Sequence, residues 1–132
     1  MDEHNKNRLI EAWIQMHLSE SDSEEYESNF WAHEELWELC RNSPDEALEL
    51  IINIIDDSPN EWILGNVAAG PFEDLMCYHG EVIMPKLKAL STNHPKLIQA
   101  MAGVWLDSND TKVWQEFYSM AGVEPPFPES SA

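Results

Sequence analysis

Apolar residues recur at helical spacing along almost the whole chain. In residues 3–19, an apolar stripe at intervals of three and four runs through Leu9, Ala12, Trp13 and Met16, which predicts a first helix. No segment alternates apolar and polar residues with the period of two that indicates a strand. The pattern therefore predicts an all-α protein of about eight short helices.

Polar breaks and cap residues predict where these helices begin and end. A serine-rich acidic stretch, residues 19–25, ends the first helix, and a second is expected over about 25–42. The sequences "SPDEA" and "SPNEW" then predict two further starts, with Ser43 and Ser58 as N-caps and proline at each first helical position. The fourth helix is expected to reach about Ala69.

The third predicted helix is apolar around most of its circumference, which places it at the centre of the domain. Its large apolar residues are Leu48, Leu50, Ile51, Ile52, Ile54 and Ile55. A fifth short helix is expected within Ala68–Gly80 and a sixth over about 81–92. A seventh begins with Asn93 or His94 as cap and Pro95 at its first position.

An eighth helix is expected to end at Gly122, in a left-handed stop. Eight short helices joined by tight turns are typical of a HEAT-like short solenoid or of a compact orthogonal bundle. In both cases residues 1–122 form a single helical domain. The proline-rich residues 123–132 are expected to form an extended or disordered tail.

The stretch "AAGPFEDLMCYHG" holds the densest cluster of reactive side chains. Helix capping explains most of it, with Gly70 as cap, acids at the positive helix end and a histidine before the stop at Gly80. Asp74 and His79 are five residues apart and diverge by about 140°, whereas a metal pair on one helix needs a spacing of three or four. A metal-dependent enzyme using Glu73, Asp74 and His79 with groups from other helices remains an alternative.

The net charge of −18 is extreme for 132 residues and unevenly spread. From Glu20 to Glu61 there are 14 acids and one base, Arg41. Such a surface repels nucleic acid and anionic membranes, so neither is an expected direct partner. A basic protein is the complementary partner, and self-repulsion favours a monomer.

The second predicted helix gathers acids on one face. At 100° per residue, Glu24, Glu27, Glu34, Glu35 and Glu38 fall within an arc of about 100°. Trp31 lies inside this arc, while Tyr26, Phe30, His33 and Trp37 fall on the other side. Trp31 either packs beneath the acids against a neighbouring helix or forms an aromatic anchor for a basic partner. These five acids and Trp31 are the predicted partner-binding residues.

Motifs that carry catalysis or bind metals and nucleotides are lacking from the sequence. There is no H-E-x-x-H, C-x-x-C, G-x-S-x-G or phosphate-binding glycine loop. A non-enzymatic protein without a cofactor is therefore expected. Cys40 and Cys77 lie in apolar helical patterns, and the N-terminus lacks the pattern of a signal peptide, so a cytoplasmic protein with reduced thiols is expected.

The sequences "FWAHEELWELC", "SPDEALELI", "AAGPFEDLMCYHG" and "GVW" together resemble a family of small bacterial domains of unknown function, over about residues 9–106. Phe72 stands where that family usually has leucine. The resemblance implies an all-helical fold and a bacterial or phage-related source, but no activity and no functional residues. By analogy, such small acidic domains are similar to immunity or inhibitor proteins.

The expected function is thus an acidic binding protein that neutralises or scaffolds a basic protein. Two alternatives stay open at this point. One is a DNA mimic that inhibits a nucleic-acid-binding protein, and it needs acids in two rows at phosphate-like spacing. The other is the metal-dependent enzyme.

Overall fold

A computed structural model describes residues 1–105 and 111–123. Within these ranges every regular element is helical, which confirms the all-α class. The helices are α1 (Glu3–Leu18), α2 (Glu24–Asn42), α3 (Pro44–Asp57), α4 (Glu61–Val67), α5 (Glu73–Ser91), α6 (Pro95–Ala102) and α7 (Thr111–Ala121), with a π-helical segment, Ala68–Phe72, between α4 and α5.

Helix α3 is central, as its apolar pattern predicts. It packs against α1, α2, α4, the π-helical segment, α5 and α6. Ile52 is half-buried, and the buried positions of α3 are Ala47, Leu48, Leu50, Ile51, Ile54 and Ile55. In a solenoid each repeat contacts only its neighbours. A helix surrounded by most of the others therefore corresponds to the compact bundle, the second of the two expected architectures.

Three of the expected helices are one continuous helical stretch over residues 61–91. The described residues consequently contain six such stretches instead of about eight. The expected break at Gly70 does not occur, because the π-helical turn accommodates Pro71 inside the helix. Pro71 has no N–H to donate, and the wider turn lets Glu73 N–H bond to the Ala68 carbonyl, one residue further back than in an α-helix.

The expected left-handed stop at Gly80 is wrong, although the helix does kink one residue earlier, at His79. Gly80 is buried inside α5, one residue after His79, whose non-helical dihedral angles (φ −137°, ψ 27°) bend the helix. A Cβ atom at Gly80 would lie 3.1 Å from Val113 Cγ1 of α7. Glycine at this position therefore allows α7 to approach α5 closely, and this packing determines its role.

The stop at Gly122 has the expected left-handed conformation, with φ of +72°. Gly122 N–H bonds to the carbonyl of Ser119, and Val123 N–H bonds to that of Tyr118. This pair of bonds is the Schellman arrangement that satisfies carbonyls at a helix end. Of the predicted tail, only Val123 lies within the described residues.

The predicted helix starts are correct for two prolines and wrong for "SPNEW", whose serine and proline both precede the cap of α4. Pro44 and Pro95 stand at the first positions of α3 and α6. Ser58 is not the cap of α4, since its hydroxyl donates to the Ile55 carbonyl at the end of α3. Asn60 caps α4 instead, and its side-chain oxygen accepts a hydrogen bond from Ile63 N–H (2.9 Å). Asparagine caps a helix as well as serine does, so the sequence pattern did not separate them.

Ser43 and His94 take the expected cap positions with different results. The Ser43 side chain makes no capping hydrogen bond, so proline and the acids of the first turn start α3 without it. His94 Nδ1 accepts a hydrogen bond from Leu97 N–H (3.3 Å), which makes His94 the cap of α6.

We expect opposite effects from adding a methyl group at Gly65 and at Gly80. Gly65 is exposed in α4 and a Cβ there meets nothing within 4 Å, so Gly65→Ala should raise the free energy of unfolding by about 0.5–1 kcal/mol. Gly80→Ala should leave the free energy of unfolding unchanged or lower it, because Val113 would have to move and disturb the contact between α5 and α7. Urea denaturation measures both, and Gly80→Ala combined with Val113→Ala should recover part of the loss. An equal gain at the two glycines would contradict the close approach of α7.

Candidate protein-binding surface

Helix α2 buries only a narrow stripe of its surface. Ala32, Leu36 and Cys40, spaced by four, are its three buried residues, and the helix packs against α1, α3, α5 and the π-helical segment. The side chain of Ser23 caps the helix by accepting a hydrogen bond from Tyr26 N–H (3.1 Å). Acids in the first turn then complement the positive end of the helix. The remaining circumference is free to carry polar groups.

The predicted acidic face of α2 is exposed and is not neutralised within the described residues. All five acids, Glu24, Glu27, Glu34, Glu35 and Glu38, are exposed, and none is in an ion pair with a residue in 1–105 or 111–123. The lysines are engaged elsewhere, for example Lys6 with Glu49 and Lys86 with Asp45. The negative charge of this face is therefore not compensated by an ion pair within the described residues.

Trp31 combines features of both expectations for this residue. Its side chain is half-buried and packs against the hydrophobic core. The guanidinium of Arg8, from α1, lies 5.4 Å from its ring centroid. Trp31 is thus no fully exposed anchor, but part of its ring still reaches the surface beside the acids.

Two adjoining surface hollows share Trp31, Glu35 and Leu39. One, of about 520 Å³, extends along α2, and the other, of about 510 Å³, lies against the N-terminal part of the chain. The acids that complete their lining are Glu34 and Glu38 in the first and Glu46 in the second. In the first hollow, Trp31 and Leu39 with a carboxylate rim suit the long stem and charged head of lysine or arginine. The second hollow is also lined by Arg8, and its Glu46 is paired with the N-terminal ammonium. We refer to these as the Trp31 hollows.

The most exposed aromatic residues of this region were missed by the sequence analysis. Trp37 of α2 is 43% exposed and Tyr78 of α5 is 49% exposed. Arg41 Cζ lies 3.8 Å from the ring centroid of Trp37 and 4.8 Å from that of Tyr78. The spacing of four between Trp37 and Arg41 was a signal for the first contact. The second contact depends on how α5 docks on α2, which no local pattern reveals.

The residues of "AAGPFEDLMCYHG" join α5 to α2. His79 Nε2 donates a hydrogen bond to the carbonyl of Arg41 (2.6 Å), one of the last carbonyls of α2. His79 therefore bonds a carbonyl at the end of a different helix and does not cap its own. Asp74 and Glu73 are half-buried at the start of α5. These contacts make the segment a structural junction between two helices.

Burial raises the pKa of both acids in this segment. For Asp74 the nearby charges of Arg41 and His33 partly oppose the rise, whereas for Glu73 the charge of Asp74 adds to it. No group of three or more His, Cys, Asp or Glu side chains in residues 1–105 and 111–123 is arranged to hold a metal ion. The geometry therefore gives no support to the metal-dependent alternative with Glu73, Asp74 and His79.

Cys40 and Cys77 are not joined in a disulfide, and they differ in environment, since Cys40 is buried and Cys77 is exposed. Cys40 is buried in α2 and its Sγ lies 3.4 Å from the carbonyl of Pro71, to which it donates. Burial, together with the charge of Asp74, raises the pKa of the Cys40 thiol to about 12. Cys40 consequently stays protonated and acts as a small apolar residue in the contact between α2 and the π-helical segment.

The fold and this surface define an acidic all-α protein with an exposed, unneutralised helix face. The chain belongs to the Family of unknown function (DUF6869), whose sequence profile matches residues 19–121. The match includes α2 to α7, and thus all the residues of the proposed surface on α2 and α5. The chain has no significant match among curated proteins or among solved structures. Among the described residues, no helix is both long enough and apolar enough to span a membrane.

His17 is a buried titratable group next to this surface. Its ring packs on Trp13 with centroids 4.0 Å apart, and its Nε2 is buried with no hydrogen-bond partner among the residues that the structure describes. The ring of His33 in α2 lies 6.4 Å away. Burial, with a smaller contribution from the charge of His33, lowers the pKa of His17 to about 4.

We expect His17 to make the protein less stable as the pH falls from about 6.5 towards 4. The unfolded chain takes up a proton near pH 6.5, whereas folded His17 resists protonation until about pH 4, so acid favours the unfolded state. The free energy of unfolding of wild type should therefore drop by about 1–2 kcal/mol relative to His17→Phe between pH 7 and 4.5. Urea denaturation at both pH values measures this difference, in which the contributions of Glu73 and Asp74 cancel. A difference that does not change with pH would show that His17 is not held neutral by burial.

Proposed function

We propose that this protein is a non-enzymatic acidic binding protein that neutralises or scaffolds a basic protein partner, in the manner of an immunity or inhibitor protein. The observation that carries the proposal is the row of exposed carboxylates on α2 around the Trp31 hollows. These acids have no ion-pair partner in the described part of the chain. Cations supplied by a partner would relieve the repulsion among these acids and so favour binding.

The charge of the whole chain supports the same proposal. A net charge of −18 generates a long-range field that attracts a basic protein and increases the association rate. The Trp31 hollows add apolar area in which the stem of a lysine or arginine can be buried. We propose further that the protein acts as a monomer, because its like charges repel one another. A bacterial cytoplasm is proposed as its location, as the resemblance and the two cysteines in apolar helical patterns lead us to expect.

A basic protein partner is favoured over a mimic of DNA by the composition of the surface. The acids of α2 lie in one stripe and surround a partly exposed tryptophan. A mimic of the duplex requires two rows of negative charge, with no need for an apolar hollow between them. A hollow flanked by carboxylates instead matches cationic side chains with long stems.

We expect neutralisation of the α2 acids to slow association with the partner. Glu34→Gln, Glu35→Gln and Glu38→Gln together change the net charge from −18 to −15, and so do Asp57→Asn, Glu61→Gln and Glu81→Gln, which remove exposed acids outside α2. With the partner captured by wild type and purified, the first variant should associate about tenfold more slowly at low salt. The second variant should remain close to wild type.

Surface plasmon resonance at low and high salt measures both effects. Wild type should lose association rate as salt rises, and the α2 variant should show a weaker dependence on salt. Equal rates for the two variants would mean that total charge, and not the α2 face, attracts the partner. Binding by wild type that does not respond to salt would overturn the proposed function.

A further inference from the structure

Trp37, Arg41 and Tyr78 form a second feature beside the acids, which we call the Arg41 stack. The guanidinium of Arg41 contacts both aromatic rings, one from α2 and one from α5. All three residues are exposed. Tryptophan, tyrosine and arginine are also the three residue types most enriched at the energetic centres of protein interfaces.

The backbone that carries the Arg41 stack is fixed on both sides. The carbonyl of Arg41 accepts the hydrogen bond from His79, the residue after Tyr78. Cys40, the residue before Arg41, is buried and bonds to Pro71 just ahead of α5. The two rings and the guanidinium are therefore held together before any partner arrives, which lowers the entropy cost of binding.

The hydrogen-bond donors of Arg41 are not used by the described residues. Its side chain makes no hydrogen bond or ion pair with residues 1–105 or 111–123, and Asp74 lies near enough to sense its charge without forming an ion pair. Ring contacts cover the faces of a guanidinium but leave its in-plane N–H groups available. Arg41 thus offers a positioned fork of donors, which matches the geometry of a carboxylate.

The surrounding charges restrict the anion that fits this fork. Glu34 and Glu38 lie on the same outward side of α2 as Arg41, at about 20° and 60° around the helix. A phosphate group, with up to two negative charges, would meet these acids, whereas a carboxylate has one charge. The face as a whole therefore complements a basic surface that is interrupted by a single acid.

We propose that the Arg41 stack binds an aspartate or glutamate side chain of the basic partner, while the partner's lysines and arginines contact the α2 acids. The inference rests on the proposed function and adds the element of specificity to it. Acids alone attract any polybasic chain, but an arginine in a fixed position repels a partner that presents a cation there. The partner recognised in this way carries a carboxylate at one defined place within its basic surface.

The test uses a displayed library of random 16-residue peptides, selected separately on wild type and on the full-length variant Arg41→Gln. Peptides selected on wild type should be rich in lysine and arginine and should carry aspartate or glutamate at a constant distance from them. On Arg41→Gln the enrichment of lysine and arginine should persist, whereas that of the acid should disappear. Thermal denaturation of both proteins establishes that the variant is folded.

Failure of this inference and failure of the proposed function give different results. Basic peptides without an enriched acid on wild type would overturn the Arg41 stack and leave the proposed function standing. Acidic peptides without enriched lysine or arginine would overturn the proposed function. Peptides that lose only aromatic or apolar residues when selected on Arg41→Gln would show that the rings, and not the guanidinium, make the contact. That result also overturns the inference.

A double-mutant cycle then separates recognition from a structural role of Arg41. The enriched acid of a selected peptide is changed to its amide, and each peptide is measured with wild type, Arg41→Gln and Arg41→Lys. The amide should weaken binding to wild type at least about threefold and should leave binding to Arg41→Gln unchanged. Arg41→Lys keeps the charge but loses the planar fork, so it should recover less than half of the effect on a logarithmic scale. An equal loss with all three proteins would contradict a contact between the acid and Arg41.

Discussion

The fold depends on covering α3, a helix with apolar side chains around most of its circumference. Such a helix is stable in water only when other helices surround it. The apolar stripe of α1, the segment from α4 to α5, and α6 all pack against it. Each of these helices buries one side against α3 or its neighbours, and the core within the described residues is a single cluster. The charged residues of the chain occupy the surface that remains exposed around this core.

Helix α2 has the smallest share of this core for its length. Three of its 19 residues are buried, so most of its outer surface could be charged without loss of packing. The lysines that form ion pairs do so away from α2, at contacts such as Lys6 with Glu49 and Lys88 with Glu116, and Arg41 is the one base that α2 itself carries. Repulsion among acids costs stability. Helix α2 carries this repulsion although it is capped at its start and hydrogen-bonded to α5 near its end. Its acidic surface remains exposed.

Much of the fold could be predicted from local chemistry. The prolines at the starts of α3 and α6 and the glycine after α7 act through their own backbone, so sequence alone was sufficient for them. Gly70 and Gly80 carry the same local signals but do not end a helix. Their roles depend on a π-helical turn at Pro71 and on the approach of Val113, and both are determined by tertiary packing.

The candidate surface shows the same division between local and tertiary information. Angular spacing on one helix was enough to place the five acids on an exposed face. The same spacing placed Trp37 and Phe30 on the other side of the helix, where they would be buried if α2 packed with a wider face. Both side chains are exposed. Their exposure follows from how little of α2 is buried, and the contact between Arg41 and Tyr78 follows from the docking of α5. Neither fact is encoded within a single helix.

The π-helical segment sets the rotational phase of α5 as far as the kink at His79. One additional residue in a turn rotates each later side chain by about 100° relative to an uninterrupted α-helix. The side of α5 that meets α2, with Asp74, Tyr78 and His79, faces α2 only because of that rotation. A single extra residue near Pro71 therefore changes the direction in which α5 presents Tyr78, seven residues further along the chain, whose aromatic ring contacts Arg41.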